Sequence, residues 1–168
     1  MPDNARMNSV QPLSSRALDL AQALVRMNTV SANSNLALIH FIRDELLTLG
    51  VKSRLTYNRD KTKANLFATL GEGKPAGIIL SGHTDTVPWD GQDWTQDPLS
   101  GVVKEGRLYG RGSADMKSFI ALALAHAPAF LASAAPFAIH FAFSYDEEVG
   151  CFGVRELIAD MRDAGIKP

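Results

Sequence analysis

The sequence predicts an α/β domain, a layered mixed sheet with flanking helices. Three observations carry that expectation: two amphipathic helical segments open the chain, an unbroken apolar strand lies near its middle, and strand-like and helix-like segments alternate beyond it. Its 168 residues, 46% hydrophobic and 21% charged, are enough for one buried core. With 17 basic and 18 acidic side chains the net charge is -1, so no nucleic-acid and no membrane partner is expected.

Residues 1–13 read as a flexible amino-terminal tail, and residues 14–168 as the folded part. Ser14 or Ser15 caps a first helix, in which Leu18, Leu20, Ala21, Leu24 and Val25 recur at helical spacing as far as Met27 or Asn28. A second helix starts at the Asn33-Ser34-Asn35 cap, presents Leu36, Ile39, Phe41, Ile42, Leu46 and Leu49, and stops at Gly50. Strands are expected over 52–57 and 65–70, followed by a turn through 71–75. The apolar run Gly77 to Ser81 reads as a buried strand in mid-sheet. Residues 88–98 are loop-like, and 102–109 form a hairpin turning at Glu105-Gly106. A helix from Met116 to about Ala132 is apolar around most of its circumference, with Pro128 ending or kinking it. A strand over 137–144 and a helix over 149–161 complete the order.

The segment MPDNARMNSVQPLSSR lacks the apolar core of a secretion signal, and the run Phe119 to Ala132 is too short to span a membrane. Cys151, the single cysteine, excludes an internal disulfide and fits a reducing compartment. The chain is therefore read as cytoplasmic.

Three polar elements sit where strands run into loops. The first is Ser81-Gly82-His83-Thr84-Asp85-Thr86-Val87-Pro88, at the carboxyl end of the central strand, where α/β folds gather ligands. Side chains two apart on extended backbone share a side, so the Asp85 carboxylate can accept a hydrogen bond from the imidazole of His83 and orient it as a metal ligand. Alone, the pattern more often marks a loop histidine and a turn aspartate, and it decides little.

The second element, Gly110-Arg111-Gly112-Ser113-Ala114-Asp115-Met116-Lys117, puts Asp115 just before an apolar helix. A carboxylate there bridges two cations about 3.5–4 Å apart, or is an ordinary helix cap. No third glycine or P-loop lysine follows, so this is not a phosphate loop. The third element is Asp146-Glu147-Glu148 after the last strand. Adjacent carboxylates on extended backbone diverge, so one binds a metal while the other faces the water that the metal activates; the alternative is an acidic first helical turn. Together the elements supply hard oxygen and imidazole donors suited to zinc, cobalt or manganese. His40, His126 and His140 lie within apolar patterns and read as structural, as does Cys151, which has no basic neighbour in sequence.

In order, SGHTDTVP (81–88), GRGSADMK (110–117) and SYDEEVG (144–150) resemble the co-catalytic zinc hydrolases that include acetylornithine deacetylase, succinyl-diaminopimelate desuccinylase, aminoacylases and glutamate carboxypeptidases. The match runs from Ser14 onward. Trp94, the Leu108-Tyr109-Gly110 run and Cys151-x-Gly153 are most similar to the acetylornithine deacetylase branch. The resemblance implies a zinc aminopeptidase/carboxypeptidase-like catalytic domain, here truncated, that binds two zinc ions, with cobalt as the alternative. His83 and Glu148 each hold one metal, Asp115 bridges both, Glu147 is the general base and Asp85 supports His83. It implies an N-acyl amino acid as the small-molecule substrate, removal of acetyl from N-acetylornithine in arginine synthesis, and a homodimer for the full-length enzyme.

A desuccinylase or an aminoacylase is the alternative within the family. The resemblance also implies a further acidic ligand, a last histidine and a lid domain beyond Pro168, so a non-catalytic fragment that binds metal weakly is the alternative of another class. A strained, cis-prone peptide after Asp115 is implied as well.

Overall fold

A computed structural model describes residues 15–71, 73–74 and 77–167. The expected tail 1–13, the Ser14 cap, and Glu72 and Pro75 of the expected turn lie outside the described residues.

Helix α1 (Ser15–Val25) and helix α2 (Leu36–Thr48) turn their apolar stripes inward, with Leu20, Leu24, Leu38, Ile39, Ile42 and Leu46 buried. Strands β1 (Ser53–Tyr57), β2 (Ala64–Leu70) and β3 (Ile78–His83) follow. The ribbon of β4 (Val102–Lys104) and β5 (Arg107–Tyr109) turns at Glu105-Gly106, both at positive φ (52° and 73°), as a tight two-residue hairpin requires. An irregular turn, Ser113–Lys117, leads into α3 (Ser118–Ala132); β6 (Ile139–Ser144) and α4 (Phe152–Asp163) close the order.

The main sheet runs β1-β2-β6-β3. Pairing of β2 with β1 and with β6 is antiparallel, whereas β3 lies parallel to β6, bringing His83 opposite Ser144. The sheet is mixed and layered, as expected. One face, carrying Leu66, Phe141 and Phe143, packs against α1, α2 and α3. The other packs Phe67 and Ala142 against Leu157 and Met161 of α4.

Two expectations need correction. Strand β3 is not in mid-sheet but at the edge, with Ile78 51% and Ile79 39% exposed. An apolar run reports the character of a strand's faces, not how many strands flank it, and here β6 inserts between β2 and β3. Of the two readings of Pro128, ending α3 fails, since the helix continues through it to Ala132 with one N–H missing from the ladder. Helix α3 packs on the sheet as its apolar circumference suggests, through Ile120, Ala121, Leu124 and Ala127, while Leu122 and Leu131 reach solvent. Among the described residues no helix is long and apolar enough to cross a membrane.

Candidate metal centre

The carboxyl end of β3 is held by main-chain and buried polar contacts. Thr84 N–H donates to the Ser144 carbonyl at 2.8 Å and its hydroxyl to the same oxygen at 2.9 Å. Asn35 donates to that hydroxyl at 2.9 Å. The backbone is thus fixed on both sides of His83 and Asp85, which are 5% and 2% exposed.

His83 Nδ1 meets the main-chain carbonyl of Asp85 at 3.0 Å, whereas the Asp85 carboxylate stands 3.5 Å away. The expected imidazole–carboxylate hydrogen bond is therefore replaced by a main-chain one. The carboxylate is drawn to other donors: the N–H of Glu147 at 3.0 Å, the N–H of Glu148 at 3.2 Å and the Ser31 hydroxyl at 2.6 Å. Asp85 supports both the histidine and the acidic turn.

Asp115 enters through the glycine loop. Gly112 adopts φ 81°, and a Cβ there would stand 2.7 Å from Thr86 Cγ2, so no larger residue fits without a shift. The Asp115-Met116 peptide is cis, as the resemblance implies. Asp115 is not an ordinary helix cap, because α3 starts at Ser118 after an N-cap at Lys117. Its carboxylate is 74% exposed and reaches His83 Nε2 at 3.0 Å.

The third element leaves β6 in a turn that is not helical: Asp146 has φ 53°, and α4 begins only at Phe152, with no acidic residue in its first turn. Glu147 and Glu148 therefore stand ahead of the helix. Asn65 accepts Tyr145 N–H at 3.2 Å and donates to the Gly153 carbonyl at 2.9 Å, tying both ends of the turn to β2. A Cβ at Gly153 would lie 2.3 Å from the Tyr145 carbonyl oxygen, the physical reason for glycine in Cys151-x-Gly153. Ser31, Lys63 and Asn65 escaped the sequence reading, which gave Asn35 only as part of a helix cap and Asp146 no separate role beside the two glutamates. Apart from Asp146, which adjoins the glutamates, none sits in a pattern tied to the site.

His83, Glu147 and Glu148 each offer a ligand atom within 4.8 Å of the others, and His83 Nε2 lies 3.8 Å from Glu147 Oε2. With Asp115 at His83 Nε2, one imidazole and three carboxylates meet at the carboxyl ends of β3 and β6. Burial disfavours charge on His83, but Asp85 and Asp115 outweigh it and push the imidazole up to about 9. Burial pushes Glu148 up, opposed by His83 and reinforced by Asp115, Asp85 and Glu147. Asp85 is held below the usual range although burial opposes this, because His83, Ser31 and the two glutamate N–H groups favour its charged form. Anions crowded around one buried imidazole, whose Nδ1 is occupied by a carbonyl and whose Nε2 faces the carboxylates, fit a divalent cation.

The three remaining histidines stay apart. His126 Nδ1 meets the Leu122 carbonyl at 2.8 Å on α3, His140 meets Thr69 at 3.0 Å, and His40 lies on α2. Cys151 lies 3.7 Å from the Glu147 carboxylate, an acidic neighbour that does not activate a thiol. Beside Asp115 and Glu148 opens a cleft of about 380 Å³, lined also by Trp94, Tyr109 and Arg111.

A family model described as peptidase family M20/M25/M40 matches residues 79–168. Acetylornithine deacetylase of Proteus mirabilis (strain HI4320) is 37% identical over 150 residues, covering 85% of this chain and 38% of that protein. The one from Yersinia pseudotuberculosis (serotype O:1b, strain IP 31758) is 34% identical over 154 residues, covering 85% and 40%. The chain thus spans about two fifths of the length of these curated relatives. Among solved structures, an M20 family metallo-carboxypeptidase from Sulfolobus solfataricus has a TM-score of 0.76 at 18% identity, covering 88% of this chain and 35% of the other. Human carnosine dipeptidase 1 gives 0.74 at 23%, with 88% and 35% covered. At these identities the two structures speak for the fold alone.

Proposed function

The chain belongs to peptidase family M20/M25/M40, a family of metal-dependent hydrolases, and on that premise we propose that it carries the front half of a di-zinc amide hydrolase that removes acetyl from N-acetylornithine. The observation that carries this reading is the group of His83, Glu147 and Glu148, with ligand atoms within 4.8 Å of one another, joined by Asp115 at 3.0 Å from His83 Nε2. The deacetylase relatives, identical at more than a third of the aligned positions, favour acetylornithine as the substrate.

In this proposal His83, Glu148 and Asp115 would hold the cations, with Asp115 as the ligand shared between them. Bound there, such cations lower the pKa of a water and polarise the substrate carbonyl. Glu147, its side chain 44% exposed and 3.8 Å from His83 Nε2, would take the proton of the attacking water. The same carboxyl group returns that proton to the leaving amine, so ornithine and acetate form without a covalent enzyme intermediate. Asp85 keeps the imidazole turned so that Nε2 faces the carboxylates.

The test is hydrolysis of N-acetylornithine against N-succinyl-diaminopimelate and other N-acyl amino acids, in an enzyme of the relatives' length that contains these residues. Preference for the succinyl substrate would move the reading to a desuccinylase. Glu147→Gln should lower turnover by several orders of magnitude while metal content by elemental analysis stays near wild type. Residues 1–168 alone are expected to hold metal weakly and hydrolyse little, because His83, Asp115 and Glu148 leave each cation two protein ligands where catalytic zinc usually has three.

A further inference from the structure

Ser31, Lys63 and Asp146 close a ring behind the acidic turn. Lys63 Nζ donates to Asp146 Oδ1 at 2.6 Å and to the main-chain carbonyl of Ser31. The Ser31 hydroxyl donates to Asp85 Oδ2 at 2.6 Å. Asp85 in turn accepts the N–H groups of Glu147 and Glu148, which follow Asp146 directly. Lysine, aspartate, turn, second aspartate and serine thus form one closed circuit, joining the entry to β2, the segment before α2 and the exits from β3 and β6.

Two features make this circuit more than a surface contact. The ion pair is largely shielded from water, with side chains 14% and 16% exposed, so salt screens it little. It also acts on the one residue of the turn from Tyr145 to Glu148 that has left-handed backbone, Asp146 at φ 53°. A side chain holds that conformation only where its surroundings enforce it. Released from Lys63, Asp146 is free to return to negative φ, and that rotation swings the following peptide and lifts the Glu147 N–H off Asp85.

We infer that Lys63 is a positioning residue: through Asp146 and Ser31 it fixes the turn from which the Glu147 and Glu148 carboxylates project. Its consequence for metal binding rests on the proposed reading of those carboxylates; its effect on the turn does not.

The experiment compares Lys63→Met and Lys63→Arg by hydrogen exchange of the metal-free protein and, in an enzyme of the relatives' length that contains these residues, by calorimetric titration with Zn²⁺. Lys63→Met should lose protection at the Glu147 and Glu148 amides while those of Phe141 and Phe143 in β6 stay protected. It should bind Zn²⁺ about 10–100-fold more weakly, the usual effect of disturbing groups behind the ligands, and Lys63→Arg should restore most of both. Unchanged exchange and affinity in Lys63→Met overturn the inference.

If Lys63→Met loses protection throughout β6 it has unfolded, and Asp146→Asn decides instead, since it removes the charge but keeps the shape: weakened protection at the two glutamates supports the inference and wild-type protection overturns it. A wild-type enzyme of the relatives' length that takes up no Zn²⁺ counts against the metal reading, while the exchange comparison still decides the role of Lys63.

Discussion

The sheet has two unlike faces. Under α1, α2 and α3, Leu66, Phe141 and Phe143 are fully buried among Leu24, Ile39, Ile42 and Ile120, with apolar atoms on every side. On the α4 side only Phe67, Ala142, Leu157 and Met161 form a cluster. Ile79 and Ser81 instead line a groove of about 560 Å³ beneath α4, and His83, two residues further along β3, belongs to that face. His140 is buried there with its Nε2 lacking a hydrogen-bond partner among the described residues. The first face supplies stability by close packing; the second spends some of it on polar groups held in fixed positions.

The sharpest way to break this comparison is Phe143→Ala. Truncating a fully buried aromatic should cost about 3–5 kcal/mol, a large share of a domain's stability, read from urea or thermal unfolding. A cost below about 1 kcal/mol would mean that the packed face is not where stability resides.

Asp85→Ala addresses the polar face. It should weaken Zn²⁺ or Co²⁺ binding roughly 10–100-fold while circular dichroism still reports a folded sheet, because its partners lie at the site and not in the apolar core. Wild-type affinity would remove Asp85 from the metal centre.

A subtler difference concerns pH. Burial pushes His140 below its ordinary value, so the unfolded chain takes up a proton on this side chain at a pH where the folded one does not. That contribution to stability is present above the unfolded pKa of about 6.5 and is lost as pH falls through and below it. Relative to His140→Leu, the wild type should therefore lose stability on acidification, measured as the difference between the two urea midpoints from pH 7.5 to 5. A constant difference would indicate that the folded protein accepts the proton at no cost.

The smallest expected effect is that of Ile158→Ser, in the groove of the open face. Being 51% exposed, it should change stability by no more than about 0.5 kcal/mol in the same unfolding assay. A cost of several kcal/mol would show that the groove is packed in solution and erase the contrast between the faces.

Sequence by itself determined the alternation of elements, the apolar stripes of α1 and α2, the Glu105-Gly106 hairpin, and the three motifs bearing His83, Asp85, Asp115, Glu147 and Glu148, because helical and strand periodicity and glycine turns act over a few residues. Tertiary structure alone decided that β6 enters between β2 and β3, leaving the apolar β3 at an edge. It alone chose Ser31, Lys63 and Asn65 to hold the site, through partners 54, 83 and 80 positions away in the chain. It also turned the Asp85 carboxylate from His83 to the two glutamate N–H groups. Each of these outcomes depends on which donors a folded chain brings within about 3 Å of one another, and that proximity has no local signature in the order of residues.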